Sequence, residues 1–274
     1  MPSNKLRMTK RSFIAGIVMA TTLLACEKVP ITGRKQLSLI SESEMISMSL
    51  TSYTDFLSKN PAVPPTDANE RLVKKVGGSI QKAVETFMKD KGLSSRLDGY
   101  KWEFNLVKSD EVNAWCMPGG KVVVYSGLLP VTQTESALAC VLGHEIAHAV
   151  ARHGNERMSQ GLVVQAGGTA LSAALSQKPQ LTQDIFMQSY GITSQLGMLK
   201  YSRTHESEAD KMGLVFMALA GYNPNDAVAF WERMAKASGG NKPPQILSTH
   251  PSDDTRIADI KAFLPEAMKY YTKK

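Results

Sequence analysis

The sequence predicts an α+β fold that is mostly helical, with a small antiparallel sheet beside a central helix. Several long segments carry apolar residues at helical spacing between Gly, Pro or capping residues. Residues 100–107 alternate between polar and apolar side chains, as a half-buried strand does. Two shorter apolar runs flank the turn at 118–120, and we expect them to complete the sheet.

The predicted elements follow one another simply along the chain. Ser41 opens a helix that extends to about Lys59, and the proline-rich residues 60–65 end it. The other elements are a helix at 66–91, strands at 100–107, 112–115 and 121–125, and helices at 135–153, 205–220, 223–231 and 254–271. No internal repeat is found, and 43% apolar residues are enough for one sizeable core, so 41–274 is predicted to be a single domain.

The segment His144-Glu145-Ile146-Ala147-His148 lies in the middle of the predicted helix 135–153. A capping box at 132–135 is expected to open this helix and Gly154 to end it. Histidines four residues apart share one helical face, so both imidazoles can bind one ion. Two imidazoles and a carboxylate from elsewhere suit zinc, with a fourth position open for water. The alternative is a surface helix with two ordinary histidines, but the apolar residues 136–142 favour a buried segment in which unpartnered histidines are costly.

A third ligand is predicted in the later helix that begins near His205. Glu206 and Asp210 are four residues apart, so they share a face. This spacing suits a metal ligand at Glu206 and, at Asp210, a carboxylate that orients a ligand histidine. A solvated acidic first turn is an equally good interpretation of the pattern alone. Glu208 is expected to face solvent.

Three segments in this order resemble the HtpX and CAAX-prenyl-protease family of zinc metallopeptidases. They are residues 113–120 (NAWCMPGG), the H-E-x-x-H helix and the E-x-x-A-D helix. Residues 29–37 (VPITGRKQL) are similar to the soluble branch of that family, which includes bacterial lipoprotein peptidases and an Oma-type mitochondrial protease. The resemblance covers nearly all of the chain after residue 25. It implies a zincin-like metalloprotease domain over 41–274, with one zinc ion per chain.

The resemblance also implies roles for individual residues. It makes His144, His148 and Glu206 the zinc ligands and Glu145 the general base, while Asp210 matches the partner of a ligand histidine. It places Asn113 next to the strand along which substrate lies, and the strand ending at Tyr125, with Val123 and Val124, is expected to be an edge on which a peptide pairs. His250 resembles a late histidine that either helps to hold the oxyanion or caps the open zinc position. Peptide deformylases share H-E-x-x-H but use a cysteine as third ligand, and the position of Glu206 argues against them.

The first 26 residues predict a secretory signal. Four basic residues precede an apolar run from Phe13 to Ala25 that is too short to span a bilayer comfortably. Leu23-Leu24-Ala25-Cys26 has the form of a bacterial lipobox, so residues 1–25 are expected to be removed, Cys26 to be lipidated and 26–40 to act as a short tether. The alternative is a plain signal peptide. Glu27 in place of aspartate favours the outer membrane in a Gram-negative host.

The net charge and the cysteine content limit which binding partners and which disulfide bonds we expect. Without the signal, 28 basic residues face 25 acidic ones, and no basic block with interleaved aromatic residues occurs, so nucleic acid is not an expected partner. Cys116 and Cys140 are predicted to be buried free thiols rather than a disulfide, although an oxidising periplasm permits the bond.

The function that these observations favour is a lipid-anchored periplasmic zinc endopeptidase that cleaves misfolded or unfolded envelope proteins. The alternative is a zinc-binding chaperone or assembly factor for envelope proteins with little proteolysis; a structural lipoprotein with a fortuitous motif is a third class. Residues 155–200 are apolar, glycine-rich and interrupted, which suits either a core helix or a lid over the cleft. The substrate, its cleavage site and the oligomeric state are not predicted.

Overall fold

A three-stranded sheet and two long crossing helices form the centre of the fold. The computed structural model describes residues 26–165, 182–186, 201–238, 244–250 and 254–272. The strands are β1 (Cys26–Lys28), β2 (Lys35–Leu37), β3 (Glu103–Val107), β4 (Ala114–Met117) and β5 (Lys121–Tyr125). The longer helices are α1 (Glu42–Lys59), α2 (Ala68–Asp90), α3 (Glu135–Val150), α4 (His153–Gln165), α5 (Arg203–Leu219), α6 (Asp226–Ser238) and α7 (Asp254–Ala267). One-turn helices span Leu129–Thr132 and Ile246–Thr249.

The predicted fold class is confirmed, and the order of the strands adds detail that the sequence did not contain. The sheet order is β3-β5-β4: β4 pairs antiparallel with β5, whereas β3 pairs parallel with it, so the sheet is mixed rather than wholly antiparallel. The tight β4–β5 connection turns through Gly119 and Gly120, whose φ angles of 84° and 78° favour glycine.

Strand β5 is central, so the prediction that it is an edge strand is wrong. Val123 and Val124 are fully buried, and the main chain of β5 is paired on both sides. A peptide therefore has no free edge of β5 to bind. The error arose because a run of valines is equally typical of an edge strand and of a buried central one.

The outer edge of β3 is covered. The N–H of Leu106 donates to the carboxylate of Glu70 at 2.7 Å, and its carbonyl accepts from the N–H of Val63 at 2.8 Å. Ala62 forms an isolated antiparallel bridge with Val107. Within the described ranges no strand pairs with the outer edge of β4, which is therefore the open edge of the sheet.

The two faces of the sheet pack into different parts of the core. Side chains of Cys116, Val122 and Val124 join the larger cluster with α2, α3 and α5. Those of Met117 and Val123 join a smaller cluster with Met45 and other residues of α1 and α4. This alternation follows the period of two along a strand, and it turns β4 towards α3 on one face.

Helices α3 and α5 cross with their main chains in contact. A Cβ atom added at Gly213 would lie 2.8 Å from the backbone nitrogen of His144, and one at Gly143 would lie 2.9 Å from the carbonyl oxygen of Gly213. No side chain fits between the helices at this point, so the two glycines fix how closely they approach.

The N-cap of α3 lies two residues after the predicted one, and the helix ends a few residues before its predicted end. Thr134, rather than Thr132, is the N-cap, and its side chain accepts from the N–H of Ala137 at 3.1 Å. The helix ends at Val150 instead of running to Gly154, because Arg152 takes a left-handed conformation with φ of 62°. Its side chain pairs with Glu27 and Glu42, and those contacts hold the break in place.

The N-terminal hairpin, β1 paired with β2, docks on the end of α3. Arg96 donates to the carbonyl of Lys28 at 2.6 Å and to that of Val150 at 2.9 Å, and Gln36 donates to the carbonyl of Ala151 at 2.7 Å. Residues 26–37 thus form ordered contacts where a short tether was predicted. Long-range ion pairs and hydrogen bonds of this kind leave no periodic pattern in a sequence.

The predicted lid at 155–200 falls largely outside the described residues. Residues 153–165 are helical as α4, and 182–186 are helical as well. In the described part of the chain, no helix combines the length and apolarity needed to cross a membrane.

We expect Gly213→Ala to lower the free energy of unfolding by about 1–3 kcal/mol, because the new methyl group forces α3 and α5 apart. Gly78→Ala is the matched control, since a Cβ atom at this helical glycine meets nothing within 4 Å. The control should raise stability by about 0.5–1 kcal/mol through the better helix propensity of alanine. Urea unfolding of both variants measures the difference, and equal stabilities would contradict the close-contact interpretation.

Candidate metal centre

Helix α3 carries His144 and His148 on one face, one turn apart. Both side chains are buried, and their Nε2 atoms lie only 3.1 Å apart. The two nitrogens therefore face the same small volume, as the H-E-x-x-H spacing predicts.

Helix α5 brings Glu206 to this volume from the opposite side. Its Oε1 lies 3.4 Å from His148 Nε2, and its Oε2 lies 3.5 Å from His144 Nε2. His250, at the end of the one-turn helix Ile246–Thr249, adds a third imidazole: its Nδ1 lies 3.2 Å from His144 Nε2 and 3.0 Å from Glu206 Oε1. One donor atom from each of the four residues lies within 4.8 Å of the others.

The chemistry of this donor set fits zinc. Imidazole nitrogens and a carboxylate oxygen are ligands that zinc takes in tetrahedral sites. The outer nitrogens of both α3 histidines already have hydrogen-bond partners, which leaves each Nε2 free to coordinate. Next to these donors, Oε1 of the buried Glu145 has no hydrogen-bond partner among the described residues, as suits a group that acts on water or substrate.

Asp210 supports His144, as the helical spacing predicted. Its Oδ1 lies 2.9 Å from His144 Nδ1, and Arg256 binds both of its oxygens at 2.8 Å. Burial raises the pKa of Asp210, but the charge of Arg256 outweighs this and holds the pKa below its usual value. The guanidinium of Arg256 also lies over the ring of Trp231, 3.6 Å from its centroid, and 3.0 Å from Glu206 Oε2.

Glu145 is buried on α3, the helix that packs against strand β4, and its Oε1 lies 3.7 Å from His250 Nε2. Burial raises its pKa, which favours a carboxylate able to hold a proton during a reaction. The pKa of the Cys116 thiol, on β4, is raised well above its usual value, mainly by burial and secondly by the charge of Glu145. Cys116 and Cys140 are both buried free thiols, as predicted.

The charges of the centre compensate one another. Burial favours a neutral Glu206, yet the positive charges of His250 and Arg256 hold its pKa well below the usual range. Burial lowers the pKa of His144, but hydrogen bonds with Asp210 and Glu206 raise it to about 9. Burial holds the pKa of His148 well below its ordinary value, so this imidazole is neutral. A divalent cation that binds here takes the place of the proton on His144.

Tyr201 is a residue of this centre that the sequence did not reveal. Its ring centroid lies 4.0 Å from that of His148 and 5.0 Å from that of His250. The guanidinium of Arg157 lies over the ring of Tyr201, 4.1 Å from the ring centroid. Burial raises the pKa of Tyr201 to about 12, so it stays a neutral hydroxyl donor. An isolated tyrosine just before a helix carries no motif, and no signal could have found it.

Glu208 is buried, so the expectation that it faces solvent is wrong. Only 3% of the residue is exposed, and its carboxylate accepts from Thr32 at 2.6 Å and from Arg34 at 2.9–3.1 Å. It also contacts His153 Nε2 at 3.1 Å. The prediction considered only the face that Glu206 and Asp210 share, whereas the N-terminal hairpin and α4 cover the adjacent face of α5.

The predicted substrate-binding residues lie at different distances from the centre. Asn113 immediately precedes the edge strand β4, where its Oδ1 accepts from the N–H of Ala114 at 2.9 Å. Val123 packs in the smaller core cluster on the far side of the sheet. A cavity of about 290 Å³ adjoins Glu206 and Asp210 between α5 and α7, with Leu214 and Phe263 among its lining residues.

Residues 75–264 match the family model of Peptidase family M48, and this range contains every residue of the metal centre. The chain belongs to peptidase family M48. It is therefore a zinc-dependent metallopeptidase, a hydrolase of the gluzincin type, and the zinc that the donor set fits is the family's cofactor.

Several proteins named as metalloendopeptidases or proteases are similar to this chain over much of its length. Mitochondrial metalloendopeptidase OMA1 of Schizosaccharomyces pombe is 33% identical over 247 residues, which cover 88% of this chain and 67% of the yeast protein. The protein of that name in Saccharomyces cerevisiae is 30% identical over 257 residues, 89% of this chain and 71% of its own. The β-barrel assembly-enhancing protease of Escherichia coli (strain K12) is 34% identical over 167 residues, 58% of this chain but only 34% of the E. coli protein.

Proposed function

We propose that this M48 peptidase is an endopeptidase, anchored to the membrane by lipid and facing the periplasm, that cleaves misfolded or unfolded proteins of the bacterial cell envelope. The observation that carries the proposal is the juxtaposition of the four-donor metal centre, the open edge of β4 and Glu145, whose Oε1 has no hydrogen-bond partner among the described residues and lies 3.7 Å from His250 Nε2. Binding along a strand edge selects extended main chain, which an unfolded protein presents and a folded one does not.

In this mechanism His144, His148 and Glu206 hold the zinc ion. When bound there, zinc polarises the peptide carbonyl and acidifies water. Glu145 accepts the proton from the attacking water and then donates it to the leaving nitrogen. Its raised pKa suits this role, because a more basic carboxylate accepts the proton from water more readily. Asp210 and Arg256 keep His144 oriented throughout.

The substrate is proposed to pair with the outer edge of β4 rather than with β5. The N–H of Tyr125 donates to the carbonyl of Asn113 at 3.1 Å, so in this antiparallel pair Ala114 and Cys116 direct their main-chain groups outward. Asn113 lies at the beginning of this edge, and Cys116 lies near Glu145. A complex whose peptide main chain is paired with another element would contradict the assignment.

The location in the envelope is proposed from the first 26 residues. A basic segment, a short apolar run and Leu23-Leu24-Ala25-Cys26 support export and lipidation of Cys26, with the outer membrane favoured. An E. coli relative is named for β-barrel assembly, and β-barrels of this kind lie in the outer membrane. The same features support membership of the soluble Oma-like lipoprotein branch of the family. Fatty-acid label that attaches equally to the wild type and to Cys26→Ser would contradict lipidation.

His250 is proposed to act as a latch on the metal centre. Its Nδ1 lies among the other donors, at 3.2 Å and 3.0 Å from two of them, where a fourth protein ligand takes the position that water needs. A closed latch gives a silent enzyme that is activated when this segment withdraws. The same observation favours the second candidate function, an assembly factor that binds envelope proteins and cleaves few of them.

Glu145→Gln should lower kcat/KM for an unfolded protein substrate by about 10²–10⁴-fold while zinc remains bound, because only the proton acceptor is lost. His148→Ala should remove both zinc and activity, and Glu85→Gln, at an exposed site on α2, should change neither. Zinc content and cleavage rate are measured on the purified proteins. If Glu145→Gln retains full activity, or if wild-type protein binds no zinc, the proposed function fails. Comparing the envelope proteins of cells that carry wild type or Glu145→Gln then identifies substrates.

His250→Ala should raise the rate of cleavage, by a factor that is the inverse of the fraction of molecules in which the latch is open. Ser248→Ala is the control, because this exposed side chain lies in the same one-turn helix and its hydroxyl donates to the carbonyl of Gln245 rather than to a residue of the metal centre. The measurement is the initial rate at which each variant cleaves an unfolded protein substrate. A lower rate would make His250 a catalytic residue that holds the oxyanion, and an unchanged rate would also overturn the latch.

A further inference from the structure

The two histidines of α3 are supported in different ways. His144 donates directly to Asp210, which Arg256 holds. Among the described residues, no carboxylate contacts the outer nitrogen of His148. Its Nδ1 instead lies 3.0 Å from Nδ1 of His153, at the start of α4.

Only one arrangement of protons suits this contact when His148 binds a metal. His148 Nε2 then offers its lone pair to the ion, so its proton is on Nδ1 and is donated to His153 Nδ1. The proton of His153 must therefore be on Nε2, which lies 3.1 Å from Glu208 Oε2 and donates to it. A chain of hydrogen bonds thus runs from Glu208 through His153 to His148. His153 is fully buried, so no water can replace a member of this chain.

Arg34, on the N-terminal hairpin, fixes the outer end of the chain. Its Nε and Nη2 donate to Glu208 at 2.9–3.1 Å, and its Nη1 and Nη2 donate to Glu156 at 2.8 Å and 2.7 Å. Glu156 in turn accepts from His205 Nε2 at 2.9 Å. The rings of His153 and His205 stack with centroids 4.6 Å apart, so the two halves of the network pack against each other.

A second metal site is not the explanation of this cluster. Two imidazoles and two carboxylates are potential ligands, but the guanidinium of Arg34 already lies between the carboxylates and supplies the positive charge. Among the described residues, only the group of His144, His148, Glu206 and His250 brings donor atoms close enough for one ion.

We propose that His153 and Glu208 are positioning residues that hold His148 in the orientation and tautomer that zinc requires, and that Arg34 locks them in place from the N-terminal hairpin. The contact of Arg34 with Glu208 thereby sets the zinc affinity of a centre more than 100 residues away in sequence. The proposal rests on the zinc-peptidase function above. It adds that residues just beyond the predicted lipidation site are part of the catalytic architecture.

The test measures zinc affinity in the purified full-length protein by competition with a chromophoric chelator. Arg34→Gln, Glu208→Gln and His153→Gln should each weaken zinc binding by about 10–100-fold, the range for partners of metal-bound histidines. Asp210→Asn is the reference variant, because it changes the carboxylate that directly contacts the zinc-binding histidine His144. His153 is fully buried and its variant can fail to fold, whereas the side chain of Arg34 is 28% exposed and its replacement leaves no cavity.

Arg96→Gln is the matched control. Arg96 binds the same hairpin, through Glu27 and the carbonyl of Lys28, but does not contact the hydrogen-bond chain. The Arg96→Gln variant should have a lower midpoint of thermal unfolding in excess chelator, yet it should bind zinc with the affinity of the wild type. Combining Arg34→Gln with Glu208→Gln should weaken binding no more than the stronger single variant, because both interrupt one chain.

Unchanged zinc affinity in a folded Arg34→Gln protein would overturn the proposal, and so would an equal loss of affinity in Arg96→Gln, which would point to hairpin docking alone. Either result leaves the proposed peptidase function intact, provided that the wild type binds zinc and cleaves. Wild-type protein without zinc or cleavage would instead refute the proposed function.

Discussion

The close crossing of α3 and α5 is the constraint on which the rest of the site depends. At Gly143 and Gly213 the two backbones touch, and any Cβ atom there would overlap the opposite helix. His144 directly follows one glycine, and Glu206 lies seven residues, or two turns, before the other. The register of a single contact therefore sets the distances between ligands from different helices. Neither helix alone contains a metal site.

Burying this many ionisable groups is costly, and two arginines from distant parts of the chain offset the cost. Arg256 forms ion pairs with Asp210 and Glu206, while Arg34 forms ion pairs with Glu208 and Glu156. Three of these carboxylates lie on the first turns of α5, two residues apart, and face different partners. These contacts on different faces of α5 fix its rotation about the helix axis, so the Glu206 carboxylate stays directed towards the metal centre.

The sequence predicted what depends on local periodicity and missed what depends on long-range pairing. The spacing of His144 and His148, and of Glu206 and Asp210, assigns each pair to one helical face, and the structure brings both faces together. The order of the strands could not be predicted from local periodicity, because β5 becomes the central strand only through its parallel pairing with β3. Arg34 and Glu208 are 174 residues apart, and neither position carries a pattern that points to the other. The left-handed break at Arg152 is likewise set by partners in β1 and α1 rather than by its own residue type.

The open edge of the sheet and the latch histidine are joined by the main chain. The N–H of Ile246 donates to the carbonyl of Val112 at 3.1 Å, two residues before β4 begins, and the N–H of His250 donates to the carbonyl of Ile246 at 2.9 Å. The one-turn helix that carries His250 is therefore attached to the segment that leads into the edge strand and contains Asn113. The outer edge of β3 is covered by Glu70 and Val63, so among the described strands of this sheet the edge next to this attachment is the one left open. If substrate pairs with β4 and His250 closes the metal centre as proposed, this attachment links occupation of the edge to the position of His250.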